Sequence, residues 1–499
     1  MKLLSSTQIR AWDNYTILNE PVNSTDLMER AAKRCTDFIV GKYPATLFVK
    51  IFCGNGNNGG DGLAVARQLL DAGYRVGIYI PDTGHSSSTD FEKNLQRLQE
   101  YNQAIHFIND ATQFPDIQSN DLVLDALFGN GLNHPIEGLP AQLVAHINAS
   151  LSTVISIDIP SGLFIDKSSA DNTIIRAKYT LSFQLPKLCF LVPDNEAYFG
   201  EVVVLDIGLH PTYLKTVSSP LLIGTLQEAA FLLQKRSAFS NKRNFGHALL
   251  VAGSKGRMGA SVLAARASLR AGVGLLTVNS PQSELPILQN SLPEAMCIER
   301  ESIVDFSRYR SIGIGPGMGT DKEASTILIQ ILSAYKKPMV IDADAITLLA
   351  ADPKLLSKIP AGSILTPHET EFDRLAGPHE NRFDRIAAAL ALSQQYQFII
   401  ILKGHYSLIA FEGKGVFNTT GNPGMAKGGS GDVLTGILTA LLAQGYRPPE
   451  AAVLGTYLHG LAGDLGLLHQ SEESLIATDI IENLGNAFRY LKNSATETN

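Results

Sequence analysis

The chain has 499 residues, 45% hydrophobic and 18% charged, which is more than one core ordinarily supports and excludes an intrinsically disordered chain. A formal net charge of -7 with no basic face argues against nucleic acid as a partner. No N-terminal basic-plus-apolar signal and no apolar run of membrane-spanning length is visible, and Cys35, Cys53, Cys189 and Cys297 lack metal-ligand spacing, so a cytoplasmic protein with reduced thiols and no membrane partner is expected.

Over the first 210 residues, short apolar runs alternate with helical patterns. Strands are predicted at Leu47–Cys53, Tyr74–Ile80, Leu122–Ala126, Val154–Asp158 and Val202–Leu205, with Gly62–Leu70 among the crossover helices. This alternation predicts a doubly wound α/β sheet. His210-Pro211 and Ser218-Ser219-Pro220 break regular structure and place a join near 210–225. A second series follows: a strand at Ala248–Ala252, a glycine turn, a helix at Ala260–Ala271, then strands at Leu275–Val278, Ser311–Gly315, Met339–Asp342, Ser363–Leu365 and Ile399–Lys403. The polar tail from Asn493 is predicted to fray.

Three segments of the first half carry chemistry. Gly54, Gly56 and Gly59 match the dinucleotide fingerprint after a strand, and Asp82 stands where a ribose-binding acid would, so a nicotinamide dehydrogenase is a real competitor. Asn57, Asn58 and Asp61 are unusual there, because an acid at a helix start repels pyrophosphate. Their oxygens in a tight glycine turn suit a hard cation better. Asp125 and Asp158 each end an apolar strand, ahead of Gly129–Pro135 and Ser161-Gly162 respectively. Either acid alone is equally well read as a turn cap; three such segments on one sheet edge favour a site.

In the second half, Gly428-Gly429-Ser430-Gly431-Asp432 precedes apolar residues at helical spacing. Glycines at a helix N-terminus offer free N–H groups and the positive end of the dipole to a phosphoryl group. Asp432 is placed to take a proton from an attacking hydroxyl, and together these are the minimum equipment of a phosphotransferase acting on an alcohol; the competing reading is a flexible glycine loop with Asp432 as a helix cap.

Leu27-Met28-Glu29, Gly54–Gly62, Asp125–Leu132, Asp158–Leu163 and Ser182–Lys187 together resemble the NAD(P)H-hydrate epimerase domain. The resemblance implies a Rossmann-like three-layer αβα sandwich over residues 1–215. Its substrates would be NADHX and NADPHX, hydrated at the nicotinamide C5–C6 bond, with R and S forms interconverted at C6. It implies potassium held by Asn58, Asp125 and Ser161. It places substrate against Asn57, Asn58, Gly59, Gly60, Asp61, Gly129, Asn130, Gly131, Leu132, Asn133, His134, Pro135 and Asp158, with Asp158 the acid/base. Asn130 stands where that family often has threonine.

Asn244–His247, Gly253–Ala260, Pro293–Met296, Gly315–Gly319, Asp342–Ala345, Thr366–Phe372, Lys403–Ser407 and Gly428–Asp432 look like the NAD(P)H-hydrate dehydratase, a ribokinase-like αβα fold, over 221–495. The resemblance implies ADP with Mg2+, released as AMP and phosphate. Lys403, Gly404, His405, Tyr406, Ser407 and Gly431 would bind the nucleotide. Ala260, Gly317, His368 and Asp432 would face the hydrate, with Asp432 as base. His368 is followed by Glu369-Thr370 where the family often has Pro-Gly. A homo-oligomer is expected. The rivals are a small-molecule kinase carrying a dinucleotide-sensing domain, revealed by accumulating phosphorylated product, and a dehydratase with a non-catalytic N-terminal scaffold, which would not need four polar groups round one cleft.

Overall fold

The computed structural model describes residues 1–496 apart from 85, 102, 301 and 303. Two compact units are built mainly from Lys2–Ser219 and from Pro220 onward. In the first, seven strands form one sheet: β1 (Phe48–Cys53), β2 (Arg75–Pro81), β3 (Ile105–Ile108), β4 (Leu122–Ala126), β5 (Thr153–Ile157), β6 (Tyr179–Phe183) and β7 (Glu201–Leu205). The order is β3-β2-β1-β4-β5-β6-β7 and every pairing is parallel. Ile51, Ile78 and Leu124 pack into one apolar layer, Phe52, Val123 and Leu143 into another. Both faces are therefore covered by helices, which is why β4 and β5 read as continuous apolar runs. Strand order reverses between β1 and β4, opening a crevice at their carboxyl ends.

Two of these strands escape the sequence pattern. β3 is an edge strand with His106 and Phe107 exposed, and β6 alternates Tyr, Thr, Leu, Ser and Phe. The crossover helix after β1 runs Asn57–Asp71, starting five residues earlier than the apolar periodicity suggests.

The second unit has ten strands: β8 (Leu221–Ile223), β9 (His247–Val251), β10 (Leu275–Ser280), β11 (Met296–Glu299), β12 (Ser311–Ile314), β13 (Val340–Ile341), β14 (Ile364–Leu365), β15 (Ile399–Leu402), β16 (Leu408–Phe411) and β17 (Lys414–Phe417). Their order is β11-β10-β9-β12-β13-β14-β15-β16-β17-β8. The sheet is parallel except where β16 hairpins between β15 and β17. Leu250, Val278 and Ile401 face the apolar layer of helices Met258–Arg270, Ser430–Gln444 and Pro448–Gly466. Leu249, Ile312 and Ile314 on the other face are equally buried. The reversal between β9 and β12 places a second crevice beyond Val251 and Ile314.

The join expected near 210–225 falls where the units divide, between Ser219 and Pro220, with the helix Thr212–Thr216 before it and strand β8 after it. One expectation is corrected here. The tail from Asn493, expected to fray, continues the last helix, Ala477–Thr496; residues 497–499 lie outside the described residues. Among the described residues no helix is long and apolar enough to cross a membrane.

Candidate active sites

At the first crevice, Asn57, Asn58, Gly59 and Gly60 form the opening turn of their helix behind the N-cap Gly56. A Cβ on Gly59 would lie 1.6 Å from the Gly54 carbonyl oxygen, so only glycine lets the loop fold back on itself. Beneath it Asp125, fully buried at the end of β4, accepts four hydrogen bonds. The donors are Ser156 Oγ (2.7 Å), Ser161 N (2.9 Å), Ser161 Oγ (2.6 Å) and Leu127 N (3.3 Å). Burial pushes its pKa up, and the Ser161 and Ser156 donors offset part of that rise. No ion pair reaches Asp125 among the described residues. Asn58 is also buried; its Nδ2 donates to the Ile157 carbonyl at 3.3 Å, and its Oδ1 has no protein partner. Asn58, Asp125 and Ser161 are thus drawn to one place by the ends of β4 and β5 and the helix start.

Asp158, just past β5, has φ of 68°, a left-handed conformation uncommon outside glycine. Its Oδ1 accepts Lys187 Nζ at 2.7 Å and Phe183 N at 3.3 Å. Lys187 is itself buried and also donates to Ser182 Oγ at 2.7 Å. A chamber of about 500 Å³ is lined by Asn57, Asn58, Asp61, Gly129, Asn130, Gly131, Leu132, His134 and Asp158. Pro135 lines an adjoining depression with Leu132 and His134. Gly59 and Gly60 are buried inside the helix turn, and Asn133 does not line the chamber; its carbonyl accepts Lys167 Nζ at 2.8 Å.

A second chamber of about 340 Å³ shares Arg10, Asp13, Asn57, Asp61, Asn130, Asp158 and Phe183 with the first, and adds Trp12, Ile17, Leu27 and Met28. Arg10, Asp13 and Lys187 went unnoticed as site residues. Arg10 and Asp13 stand three apart on one face of the helix Ser6–Asn19, a spacing that does not by itself mark a site. Burial, then Asp158, raises the Asp13 carboxyl to about 7, with Lys187 opposing.

At the second crevice, Gly429 has φ of 97° and caps the helix Ser430–Gln444. Ser430, Gly431 and Asp432 therefore supply its first turn, with their N–H groups unpaired within the helix. A Cβ on Gly429 would press Leu263, Gly436 meets Ala264, and Gln444 Nε2 donates to the Ala271 carbonyl at 3.0 Å. The helix Met258–Arg270 consequently runs alongside in the same direction, and two positive helix ends open on one crevice.

Asp342, after β13, is buried and central. Lys403 Nζ lies 3.1 Å from its Oδ1 and Thr435 Oγ1 donates to its Oδ2 at 2.7 Å. Gly431 adjoins both, its Cβ position being 3.5 Å from Lys403 Nζ and 3.8 Å from Asp342 Oδ2. Burial, then the charge of Asp342, raises Asp432 to about 7, with Lys403 pulling the other way. Burial opposes the Lys403 ammonium, yet Asp342 and Glu371 hold its pKa above the ordinary value. Gly317, with φ of 57°, packs on Ala260. His368 caps the helix Glu369–Ala376, its Nδ1 accepting Glu371 N at 3.3 Å, so it has a structural task whatever else it does. Gly404, His405 and Tyr406 form the turn between β15 and β16, with Ser407 Oγ donating to the Gly404 carbonyl at 3.1 Å.

Residues 24–189 match the family model described as YjeF-related protein N-terminus, and residues 248–486 match that described as NAD(P)H-hydrate dehydratase. The bifunctional NAD(P)H-hydrate repair enzyme Nnr of Moorella thermoacetica is 34% identical over 99% of this chain and 97% of its own. Its namesake in Thermofilum pendens is 32% identical over the same shares. A ribokinase-like superfamily protein from Enterococcus faecalis superposes with a TM-score of 0.50 at 29% identity, covering 55% of this chain and 98% of that one.

Proposed function

The chain belongs to the bifunctional NAD(P)H-hydrate repair enzymes, and from that premise we propose that its two crevices restore NADH and NADPH from their C6 hydrates in sequence. The first, within residues 1–215, interconverts the R and S epimers. The second, within 221–495, dehydrates the S epimer with ADP as phosphoryl donor. The observation that carries the second assignment is the placing of Asp432 on the first turn of a glycine-capped helix, beside Lys403 and a second helix end. Phosphate leaves far more readily than hydroxide. Asp432 takes the C6 hydroxyl proton as the terminal phosphoryl moves onto that oxygen, and the Gly431 N–H and the positive end of its helix meet the developing charge. The C6–O bond then breaks as phosphate departs with its electron pair, C5 gives up a proton to solvent, and the C5–H pair becomes the second bond of C5=C6.

Lys403–Ser407 and Gly431 hold the nucleotide, while Ala260, Gly317 and His368 border the hydrate. Among the described residues no cluster of three His, Cys, Asp or Glu side chains could hold a metal. Mg2+ would be carried on the nucleotide's own phosphates, where it would neutralise phosphoryl charge.

In the first crevice Asp158 is the acid/base, and potassium fits Asn58, Asp125 and Ser161. The buried Asn58 Oδ1 lacks a partner and the buried Asp125 carboxylate lacks a cation. A single negative charge suits a monovalent ion, whose role would be to fix the glycine loop over the strand ends.

Mixed R and S hydrates are incubated with the full chain, Mg2+ and either ADP or ATP, and reduced nicotinamide absorbance is followed. Complete recovery of both epimers with one AMP per turnover is expected with ADP. Accumulation of a stable phosphorylated product would instead mark a small-molecule kinase, and recovery of the S half alone would leave the first unit without epimerase activity.

A further inference from the structure

Asp13 lies at the junction of the two chambers of the first crevice, and it shares that junction with Asp61 and Asp158. The chamber on one side has walls of Trp12, Ile17, Leu27 and Met28, suited to a flat ring. On the other side lie the backbone turns at Asn55–Asn58 and Gly129–Leu132, suited to phosphates. A dinucleotide spanning both sets its reacting ring against the carboxyls. Asp158 is committed to Lys187 at 2.7 Å, whereas Asp13 has no such cation.

We propose that Asp13 is the second acid/base of the epimerase, giving a proton to the C6 hydroxyl of the hydrated nicotinamide while Asp158, held by Lys187, takes one from the water that returns to the opposite face. The inference rests on the epimerase reading of this crevice. As the Asp13 proton reaches the hydroxyl oxygen, the C6–O bond breaks, water leaves, and the N1 lone pair becomes the second bond of N1=C6. Water then adds from the other side. Its oxygen forms the new C6–O bond, the N1=C6 pair returns to N1, and Asp158 receives the proton. In the reverse direction the two carboxyls exchange tasks. Asp61, which lines both chambers, completes the route by which the proton returns from Asp158 to Asp13.

The charged groups around Asp13 support this division. Arg10 stands on its own helix and engages Asn130; Asp61 stands on the helix after β1, with Asp90 near it; Asp158 and Lys187 follow β5 and β6. Burial raises Asp61 well above the ordinary carboxyl range, with Asp158 and Asp13 adding to the effect. With Lys187 bonded to Asp158 and Arg10 turned to Asn130, neither Asp13 nor Asp61 has an ion pair among the described residues, and Asp13, held near 7, is suited to carry a proton at neutral pH.

The test uses the full chain and pure R hydrate, with epimers separated by chromatography. Asp13→Asn is expected to lower kcat for interconversion by about 10²–10⁴ with KM little changed. It should also abolish the decline in R-to-S rate above about pH 7, while Asp13→Glu restores part of the rate. A thermal melt of Asp13→Asn that keeps every transition of the wild type reports that the unit carrying the substitution is folded. In water enriched in oxygen-18, the wild type should place label at C6 with each epimerisation. If Asp13→Asn interconverts at the wild-type rate with an unchanged pH profile while Asp158→Asn does not, the assignment of Asp13 is overturned and the epimerase reading stands. Epimerisation with full retention of oxygen-16 overturns the C–O cleavage step. Failure of the wild type to interconvert the epimers at all overturns the epimerase reading and this inference with it.

Discussion

Lys403 Nζ lies 3.1 Å from Asp342 Oδ1, so the cation proposed to meet nucleotide phosphates is already engaged by a buried carboxylate. Glu371 stands 3.8 Å away on the same ammonium, and Thr435 satisfies the other Asp342 oxygen. The lysine is aimed before any ligand arrives, which spares the ordering cost of a long flexible side chain. Lys403→Met should raise the KM for ADP about 10–100-fold, the loss of one charge-assisted hydrogen bond of about 1.5–3 kcal/mol. Initial rates across ADP concentrations at saturating S hydrate check this; an unchanged KM would remove Lys403 from the nucleotide site.

Asp432→Ala should depress dehydration by about 10²–10⁴, the usual loss on removing a general base. Epimerisation belongs to the other unit and should continue. The assay is paired: NADH recovery from S hydrate with ADP, and R-to-S conversion without it. Near-normal NADH recovery would overturn the role of Asp432.

The same carboxyl sets a pH dependence. Its folded value is about 7 against an ordinary 3.8, so the base form is lost below neutrality and dehydration should rise with pH through about 7. For stability the sign is opposite. A raised folded value makes ionisation costlier in the native state than in the unfolded chain, so stability falls as pH climbs from about 4 to about 7. Asp432→Asn should therefore melt above wild type at pH 8, with the gap closing toward pH 4. A thermal melt series reads it directly.

Potassium should accelerate R-to-S conversion by the wild type, and Asp125→Asn should remove that response while ADP-dependent dehydration of pure S hydrate persists. Asn58→Ala, which deletes the partnerless Oδ1, should do the same with less damage to the Asp125 hydrogen bonds. Equal epimerase rates with and without potassium in the wild type would leave Asp125 as a structural cap.

The two units should work apart. A fragment beginning at Pro220 keeps β8 and should dehydrate S hydrate; one beginning after Ile223 loses the strand beside β17 and should be less stable. Urea melts of the two fragments give the comparison, and equal midpoints would show that β8 contributes nothing.

Much of both sites is visible in the sequence because open α/β sheets put them where apolar runs end. Asp125, Asp158, Asp342 and Lys403 are all of that kind. Lys187 is not, since nothing in Pro186-Lys187 tells that an ammonium will be buried against Asp158. β6 hides for a related reason: its Thr180 and Ser182 look like a solvent face but are buried, bonded to the Phe199 carbonyl and to Lys187. Asp13 reaches the crevice from a helix that precedes the whole sheet, a long-range contact with no local period to betray it.

Strand β8 carries a consequence for how the protein is made. Its partner strand in the sheet is β17, which leaves the ribosome roughly 190 residues later; at about 5–20 residues per second that is a wait of about 10–40 s. Through that interval Leu221-Leu222-Ile223 lacks its partner strand and has only the hydrogen bonds between Ile223 and Met1 to hold it, emerging just after a unit that already has all seven of its strands. Nascent-chain protection by a holdase, and sensitivity to translation speed between these two points, should therefore concentrate on the second unit and leave the first indifferent.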